Sequence, residues 1–363
     1  MSGFALSDLL RPELSELSAY RPTPGEFRVR LDANEAPPLL SDEAKRRLGE
    51  VFGTLALERY PDPTSSELRE AIARRLSLKA DQILVGVGSD EIIALLLTAF
   101  ARPRRANDAV TIVTTSPTFV MYKLSARSRG QRVLEVPLDA SWGFAVEGLA
   151  RAIEFGEPHL VFLASPNNPT GTMPTAEQLE AVVAAAKSSL VVVDEAYVDY
   201  ADRDQLDCLR QHENVVVLRT LSKIGFAALR VGWLAGNAAL VRELDKLRLP
   251  YNLSAPAQRL ASVVLSELEP ELARTTRLVV AERARLASEL AAFSGVEVTP
   301  SQANFVWVRT ERPAAEVFEA LKQKSVLVRS FHERGGRLAH QLRVTVGTPA
   351  ENDAFLASLR EVL

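Results

Sequence analysis

The sequence of 363 residues has one cysteine, four histidines and three methionines. Cys208 has no second cysteine to bond with, so an internal disulfide is excluded, and the composition suits the reducing conditions of the cytoplasm. The few histidines form no recognisable metal-binding motif, and no Gly-x-Ser-x-Gly sequence marks a serine hydrolase. We therefore expect neither a metal site nor hydrolase chemistry.

An excess of charge of one sign is also missing. Lysines and arginines number 43 and aspartates and glutamates 46, which leaves a formal net charge of −3. This balance gives no reason to expect a nucleic acid or an anionic membrane as a partner, and the basic cluster Arg102–Arg105 is interpreted as a solvated turn. A small anionic substrate held by a few local arginines is compatible with it.

Long hydrophobic runs are absent as well. The longest run, residues 92–101, has about half the length of a membrane span and contains Thr98. The first ten residues lack the basic and apolar segments of a secretory signal. We therefore expect a cytoplasmic protein that contacts no membrane.

Short runs rich in β-branched residues alternate with helical patterns along the middle of the chain. These runs are residues 83–87, 109–113, 133–136, 160–164, 190–193 and 215–218. Since strands of buried parallel sheets are continuous apolar runs, the pattern predicts a mostly parallel sheet. Thr64–Glu67 and Thr175–Gln178 have the capping-box pattern that starts helices. The predicted fold class is therefore α/β, with helices covering the sheet.

The last hundred residues show a different pattern. A helical periodicity over residues 271–293 is followed by strand candidates at residues 304–308, 326–328 and 342–346. We interpret this region as a smaller α+β domain that the N-terminal segment completes. The predicted large domain is 46–255, and the small domain combines 1–45 with 256–363.

Polar groups follow several predicted strands, and ligands collect beyond the carboxyl ends of strands in open α/β sheets. Gly88–Glu91 opens a helix directly after one strand, where free backbone N–H groups suit a phosphate. Ser222, Lys223 and Arg230 follow another strand and offer a hydroxyl, an amine and a guanidinium. Such a set can hold a phosphate while the amine attacks a carbonyl, and pyridoxal phosphate needs both.

Two further strand ends carry polar motifs. Ser165–Gly171 contains two asparagine amides in a loop made rigid by two prolines. Asp194 ends an apolar run, and a buried carboxylate is costly unless a partner compensates it. Taken one at a time, the motifs leave alternatives open: a plain turn after residue 87, a helix N-cap role for Asp194 and a solvated surface position for Lys223.

Together, these motifs resemble the fold-type I aminotransferases that use pyridoxal phosphate. The matching segments are Ser165–Gly171, Asp194–Tyr197 and Thr220–Lys223 with Arg230. Four more segments resemble the histidinol-phosphate aminotransferase family within that group, namely Leu31–Glu35, Arg59–Asp62, Ser116–Phe119 and Leu342–Thr348. The resemblance runs from about residue 8 to residue 363. It implies a large cofactor-binding domain with a mostly parallel central sheet and a smaller α+β domain.

The resemblance implies three catalytic residues. Lys223 would bond covalently to the cofactor aldehyde and, once displaced, would move a proton between the substrate α-carbon and the cofactor. Asp194 would pair with the protonated ring nitrogen, and Tyr197 would hydrogen-bond the ring oxygen.

The resemblance also implies residues that hold the cofactor in place. Asn168 would share the ring oxygen with Tyr197, and Phe119 would lie against the ring face. Many relatives have a tyrosine at the position of Phe119, so a hydroxyl is lost here, and an ordinary core position is the alternative for this side chain. The phosphate would be held by Ser89, Asp90, Ser222, Arg230 and, from the second subunit of a homodimer, Tyr60.

Four residues are implied to bind substrate. Arg343 matches an arginine that grips the carboxylate of the amino donor, and Asn34 lies near the same end of the family motif. Arg329 and Tyr20 match positions that hold the phosphate of histidinol phosphate. A surface ion pair is the alternative for either arginine.

The implied reaction interconverts histidinol phosphate and 2-oxoglutarate with imidazole-acetol phosphate and glutamate, a step of histidine biosynthesis. An aromatic-amino-acid aminotransferase and a threonine-phosphate decarboxylase are alternatives because they share most of the cofactor motifs. A non-catalytic protein with the same fold is a more remote alternative. The presence of both Lys223 and Asp194 argues against it.

Overall fold

The computed structural model describes residues 6, 9–16, 19, 23–106 and 108–363. In chain order the strands are β1 Val29–Leu31, β2 Ile83–Val87, β3 Thr111–Ser116, β4 Arg132–Pro137, β5 Leu160–Ala164, β6 Leu190–Asp194, β7 Val215–Thr220, β8 Val231–Ala235, β9 Val296–Thr299, β10 Phe305–Thr310, β11 Val326–Ser330 and β12 Gln341–Thr345. The helices are α1 Asp42–Gly53, α2 Ser66–Leu76, α3 Gly88–Ala99, α4 Val120–Arg127, α5 Val146–Gly156, α6 Ala176–Ala185, α7 Leu206–Gln211, α8 Ala238–Asp245, α9 Ala255–Ser266, α10 Glu269–Ala291, α11 Ala314–Gln323 and α12 Pro349–Val362.

A seven-stranded sheet with the order β2-β8-β7-β6-β5-β3-β4 forms the centre of the molecule. Strands β7, β6, β5, β3 and β4 run parallel, whereas β8 is antiparallel to both of its neighbours. The α/β fold class and the mostly parallel sheet are thus confirmed. The parallel strands place their carboxyl ends at one edge of the sheet, where Asp194 ends β6 and Thr220 ends β7.

Both faces of this sheet are buried under helices. In β6, Val191 and Val193 belong to one hydrophobic core and Val192 belongs to the core on the opposite face. This alternation follows from the two-residue period of a strand. Helices α3, α4 and α8 cover the second face, and the first face packs against α2, α5, α6 and α9. A strand covered on both sides must be apolar throughout, which explains the continuous runs in the sequence.

A second sheet has the order β1-β11-β12-β10-β9. Strand β1 pairs with β11 in parallel, so residues of the N-terminal segment do complete the sheet of the C-terminal region. Helices α10, α11 and α12 pack on it through residues such as Leu286, Leu321 and Phe355. The domain limits 46–255 and 1–45 with 256–363 stay a prediction.

The start of α2 differs from the predicted capping box at residues 64–67. Ser65 has a left-handed backbone (φ 50°), and its side chain does not cap the helix. Asp62 does so instead, since its Oδ2 accepts from Ser66 N at 2.7 Å and its Oδ1 accepts from Thr64 N at 2.9 Å. The second predicted capping box is confirmed, because Thr175 and Gln178 cap the start of α6 reciprocally.

Strands β1, β8 and β9 are missing from the sequence prediction, and β1 has only three residues. Gly232 interrupts the apolar run of β8. Strand β9 is only partly buried at the edge of the smaller sheet, so its sequence lacks a clear apolar pattern. Among the helices of the described residues, none combines the length and the apolar character that a membrane span requires.

Candidate active site

A cavity of about 340 Å³ lies where the carboxyl ends of the parallel strands meet the smaller sheet. Most of the predicted site residues line it: Asn34, Ser89, Asp90, Phe119, Asn168, Asp194, Tyr197, Ser222, Lys223, Arg230, Arg329 and Arg343. Residues far apart in the sequence therefore converge on one space of the size that binds small molecules.

One end of the cavity is shaped for an anion. Helix α3 begins at Gly88, so the backbone N–H groups of its first turn have no partner within the helix. Arg230 donates to the Ser222 hydroxyl across 3.3 Å and lies 3.4 Å from the Asp90 carboxylate. A helix N-terminus, a hydroxyl and a guanidinium together favour a phosphate group.

Two glycines bring these groups close together. A Cβ on Gly232 would lie 2.6 Å from the backbone of Gly88 and Ser89, and a Cβ on Gly88 would lie 2.7 Å from Arg230 Nη2. Gly88 also has a φ of +70°, which other residues rarely adopt. Glycine is therefore needed at both positions for the strand, the helix start and the arginine to pack.

Lys223 lies beside this end of the cavity. Strand β7 ends at Thr220, whose Oγ1 accepts from Ser222 N at 3.1 Å and so shapes the short turn that carries the lysine. Tyr200 donates to the carbonyl of Lys223 at 2.6 Å. The Lys223 amine lies 5.8 Å from the centre of the Tyr197 ring. The backbone of the lysine is thus held firmly while its side chain reaches the cavity.

Asp194 lies in the same cavity with both of its oxygens hydrogen-bonded. Ala196 N donates to Oδ1 at 3.0 Å, and the hydroxyl of Tyr122 donates to Oδ2 at 2.7 Å. Burial raises the pKa of Asp194 to about 6, even though these hydrogen bonds and nearby Lys223 act to lower it. A carboxylate that is buried and held in place by two hydrogen bonds suits a cationic ligand, because the cation compensates its charge.

Two amide side chains connect the large sheet with the smaller one. Asn34 donates to the Tyr197 hydroxyl at 2.9 Å, and Arg343 donates to Asn168 Oδ1 at 2.6 Å. Arg343 also donates to the carbonyl of Asp32 at 2.5 Å. These bonds orient the tyrosine, the asparagine and the arginine toward one space.

Arginines mark the other end of the cavity. Arg329 of β11 lies directly opposite Arg343 of β12 in an antiparallel pair, so both side chains stand on the same face of the sheet. Arg334, which the sequence prediction missed, lines the cavity as well. Like charges side by side favour an anionic ligand between or beside them.

The sequence profile of the aminotransferase class I and II family matches residues 28–359. The chain belongs to this family. It is 41% identical to a histidinol-phosphate aminotransferase of Methylibium petroleiphilum over 99% of this chain and 95% of the relative. It is 39% identical to histidinol-phosphate aminotransferase 2 of Nitrosococcus oceani over 97% of this chain and 96% of that one.

Solved structures agree with this membership. The crystal structure of histidinol-phosphate aminotransferase from Sinorhizobium meliloti in complex with pyridoxal-5'-phosphate matches with a TM-score of 0.86 and 25% identity. The match covers 99% of this chain and 98% of the other. The fold prediction for this aminotransferase is thus confirmed by the solved structure as well as by the family profile.

The cavity of this aminotransferase fits pyridoxal phosphate on its own geometry. The anion-binding end formed by Ser89, Ser222 and Arg230 suits the phosphate, and the buried Asp194 suits a protonated ring nitrogen. Lys223 lies with its amine in the same cavity, where an aldehyde would meet it. Phe119 offers an aromatic face and packs edge-on against Tyr122 at 5.5 Å between ring centres.

Tyr60 does not line the cavity of its own chain. Tyr60 is 83% exposed and stacks on Tyr251, with 4.7 Å between the ring centres. Tyr20 lies outside the described residues. Their proposed contacts stay predictions.

Two polar residues of the recognised motifs support the site from outside. Asn167 is buried and donates to Pro117 O and Thr170 Oγ1, while Asn168 faces the cavity. The doubled asparagine thus combines a loop-fixing residue with a cavity residue. Glu195 is buried next to Asp194 and forms an ion pair of 2.7 Å with Arg219.

A group of possible metal ligands lies apart from the cavity lining. The side-chain ligand atoms of Glu180, Cys208 and His212 all lie within 4.8 Å of one another. His212 and Glu180 are already hydrogen-bonded at 2.7 Å, and burial together with Glu180 raises the pKa of the Cys208 thiol to about 12. The protonated thiol is a poor metal ligand, and the absence of a metal site stays a prediction.

Proposed function

We propose that this aminotransferase uses pyridoxal 5'-phosphate to interconvert histidinol phosphate and 2-oxoglutarate with imidazole-acetol phosphate and glutamate, a step of histidine biosynthesis. The names of full-length relatives near 40% identity support the substrate. The observation that carries the proposal is the pair Arg329 and Arg343, which face each other across β11 and β12 in the cavity that contains Lys223.

When bound, the cofactor supplies an aldehyde for the substrate amine and a cationic ring that takes up electrons from the substrate α-carbon. Ser89, Ser222 and Arg230 would hold its phosphate, and Asp194 would pair with its ring nitrogen. Lys223 would offer its amine to the aldehyde.

The chain's own residues then handle the proton and the ring oxygen. The Lys223 amine would act as the general base that takes the proton from the substrate α-carbon, and then as the general acid that returns it. Tyr197 and Asn168 would donate hydrogen bonds to the ring oxygen of the cofactor. Asn34 orients the Tyr197 hydroxyl for this task, since it already donates to it at 2.9 Å.

The arginine pair explains how one cavity accepts two kinds of anion. Arg343 is almost fully buried and is oriented by Asn168 and the Asp32 carbonyl, so its fork is preorganised for the carboxylate of glutamate. Arg329 also lines the cavity but is exposed. It would meet the phosphate of histidinol phosphate. The two substrates bind in turn, and each neutralises part of the same cationic end.

Substituting the two arginines is expected to separate these roles. A lysine at position 343 keeps the charge and loses the fork, so Arg343→Lys lowers kcat/KM for glutamate by about 10- to 100-fold, the value of one charged hydrogen bond. Arg329→Gln lowers kcat/KM for histidinol phosphate by a similar factor, and it lowers kcat/KM for glutamate much less. Steady-state kinetics of both half-reactions measure this.

The matched control is Arg309→Gln, which removes an exposed arginine paired with Glu297 at 3.0 Å on the same sheet. Arg309→Gln should leave kcat/KM for glutamate and for histidinol phosphate unchanged. Equal losses for glutamate and histidinol phosphate in Arg329→Gln would contradict the assignment of that arginine to the phosphate.

The function itself is tested by comparing amino donors with 2-oxoglutarate as acceptor. We expect histidinol phosphate to exceed phenylalanine in kcat/KM by at least about 100-fold, since only the former presents a phosphate to the arginines. A preference for phenylalanine would indicate an aromatic-amino-acid aminotransferase. Release of carbon dioxide from threonine phosphate would indicate the decarboxylase.

We also propose that the enzyme is a cytoplasmic homodimer in which Tyr60 crosses to the cavity of the second subunit. Tyr60 stacks on Tyr251, and exposed Leu57 and Leu249 lie on the same two segments of the chain. Arg248 donates to the carbonyl of Pro63 and so joins these segments. An exposed apolar patch of this kind is typical of a surface that a partner covers.

Mixing an inactive Lys223→Ala chain with a chain weakened at Tyr60 is expected to raise activity above that of either variant alone if Tyr60 crosses the interface. Consider a mixed dimer of one Lys223→Ala chain and one Tyr60→Phe chain. The site of the Tyr60→Phe chain keeps Lys223, and it receives an intact Tyr60 from the Lys223→Ala chain. If Tyr60 served its own chain, both sites would be defective. Recovery of turnover after mixing and subunit exchange measures this, with each variant alone as control, and no recovery in proven heterodimers contradicts the proposal.

A further inference from the structure

Tyr122 lies in the first turn of α4 and is fully buried beneath the cavity. Its ring stacks on Phe162 of β5, with 4.9 Å between the centres, and meets the edge of Phe119 at 5.5 Å. These contacts fix the phenol so that its hydroxyl points at Asp194 Oδ2 from 2.7 Å. None of the recognised sequence motifs contains this contact.

We propose that Tyr122 is a positioning residue that keeps the Asp194 carboxylate ionised and aimed at the cofactor's ring nitrogen. This inference rests on the proposed cofactor, and it goes beyond the reaction because it concerns what makes the aspartate a good partner for a cation. Tyr122 acts through Asp194 and needs no contact with the substrate.

The geometry explains why a phenol suits this position. Ala196 N holds Oδ1 and the Tyr122 hydroxyl holds Oδ2, so the carboxylate cannot rotate about its terminal bond without losing a hydrogen bond. Burial, and then the charge of Asp194, raise the pKa of Tyr122 well above its usual value. The phenol therefore stays protonated and donates at every pH at which the enzyme works.

Several charges act on Asp194 besides this hydrogen bond. Asp90 of α3 raises the pKa of Asp194, whereas Lys223 lowers it, and Tyr197 faces the same space. Removing the phenol hydroxyl removes a stabilising donor from the charged form, so the pKa of Asp194 must rise above about 6. Because the cofactor needs the ionised Asp194 carboxylate, the variant should lose the cofactor at a higher pH than the wild type does when the pH is lowered.

The test is the cofactor dissociation constant of Tyr122→Phe, measured between pH 5 and 9 on the full chain by absorbance and equilibrium dialysis. The ring and its packing stay, so the apoprotein should melt close to the wild-type temperature. We expect cofactor binding to weaken by about 10-fold or more at pH 7, and the acidic midpoint of binding to move up by about one pH unit, which corresponds to one charged hydrogen bond.

Two comparisons separate positioning from general loss of packing. Thr114→Val removes another buried hydroxyl of the same sheet, which donates to Phe162 O at 2.9 Å, and it should not move the midpoint. In an Asp194→Asn background, Tyr122→Phe should have almost no further effect on cofactor binding, because there is no carboxylate left to hold.

The outcomes are distinct. An unchanged midpoint and dissociation constant in Tyr122→Phe overturn the inference while leaving the proposed function intact, whereas a wild-type chain that binds no pyridoxal phosphate defeats the proposed function itself. If Tyr122→Phe does not fold, the wild-type titration still decides: we expect an acidic midpoint below pH 7, as a carboxylate that is kept ionised requires. A wild-type midpoint above pH 7 would show that the phenol does not keep the carboxylate ionised.

Discussion

Replacing Lys223 with alanine is expected to lower turnover by at least about 1,000-fold, which is the scale of a lost acid–base group combined with a lost nucleophile. No other lysine lines the cavity among the described residues, so no nearby amine replaces it. The anion-binding end and Asp194 stay in place. Lys223→Ala should therefore fold and still bind pyridoxal phosphate without a covalent bond.

The measurements are steady-state turnover, the absorption spectrum and the mass of the intact protein. Lys246→Ala is the matched control, since it removes an exposed lysine paired with Glu243 at 2.7 Å and should keep full activity. A Lys223→Ala enzyme that retains even a tenth of wild-type turnover would end the assignment of this residue as the base.

Replacing Asp194 with asparagine is expected to have an effect almost as large, about 100- to 10,000-fold on kcat. The asparagine has nearly the same shape, but it cannot supply a negative charge to the ring nitrogen. Without this charge the ring nitrogen would no longer be kept protonated, and a neutral ring would withdraw electrons from the substrate less strongly. Cofactor affinity should fall as well, because Asp194 is buried where no solvent replaces its charge.

Asp207→Asn is the control, because this aspartate is exposed and pairs only locally with Arg210 at 2.8 Å. Turnover and cofactor dissociation constants of both variants give the comparison. An Asp194→Asn enzyme with wild-type kcat and cofactor affinity would show that the carboxylate does not pair with the ring nitrogen.

The sequence predicts the central sheet well because its strands are buried on both faces. Strands β2 and β5 agree with the predicted ranges at both ends, since an apolar run that is bounded by polar residues has clear limits. Strand β8 is not predicted because Gly232 interrupts its apolar run. Glycine is needed there because the backbone of Gly88 and Ser89 approaches closely in the folded chain, and the local sequence does not reveal this contact. The predicted cap at Thr64 fails for a similar reason, as Asp62 competes for the same backbone N–H groups.

The site is predicted to the extent that its residues belong to local motifs. Asp194 and Lys223 each follow an apolar strand, so strand ends alone bring them together. Tyr122 lies 72 residues from Asp194, and its contact depends on how α4 packs on the sheet. Arg334 lies in a polar loop whose sequence shows no sign that it faces the cavity. Such contacts arise only from the packed fold.

The central claim is that the strand ends converge on one aldehyde-bearing cofactor that is bonded to Lys223. Borohydride reduction of the purified protein loaded with pyridoxal phosphate, followed by digestion and mass spectrometry, tests it most directly. We predict one pyridoxyl-phosphate adduct per chain, located on the peptide that contains Lys223. An adduct on a different lysine, or no adduct at all from protein saturated with the cofactor, would contradict the account.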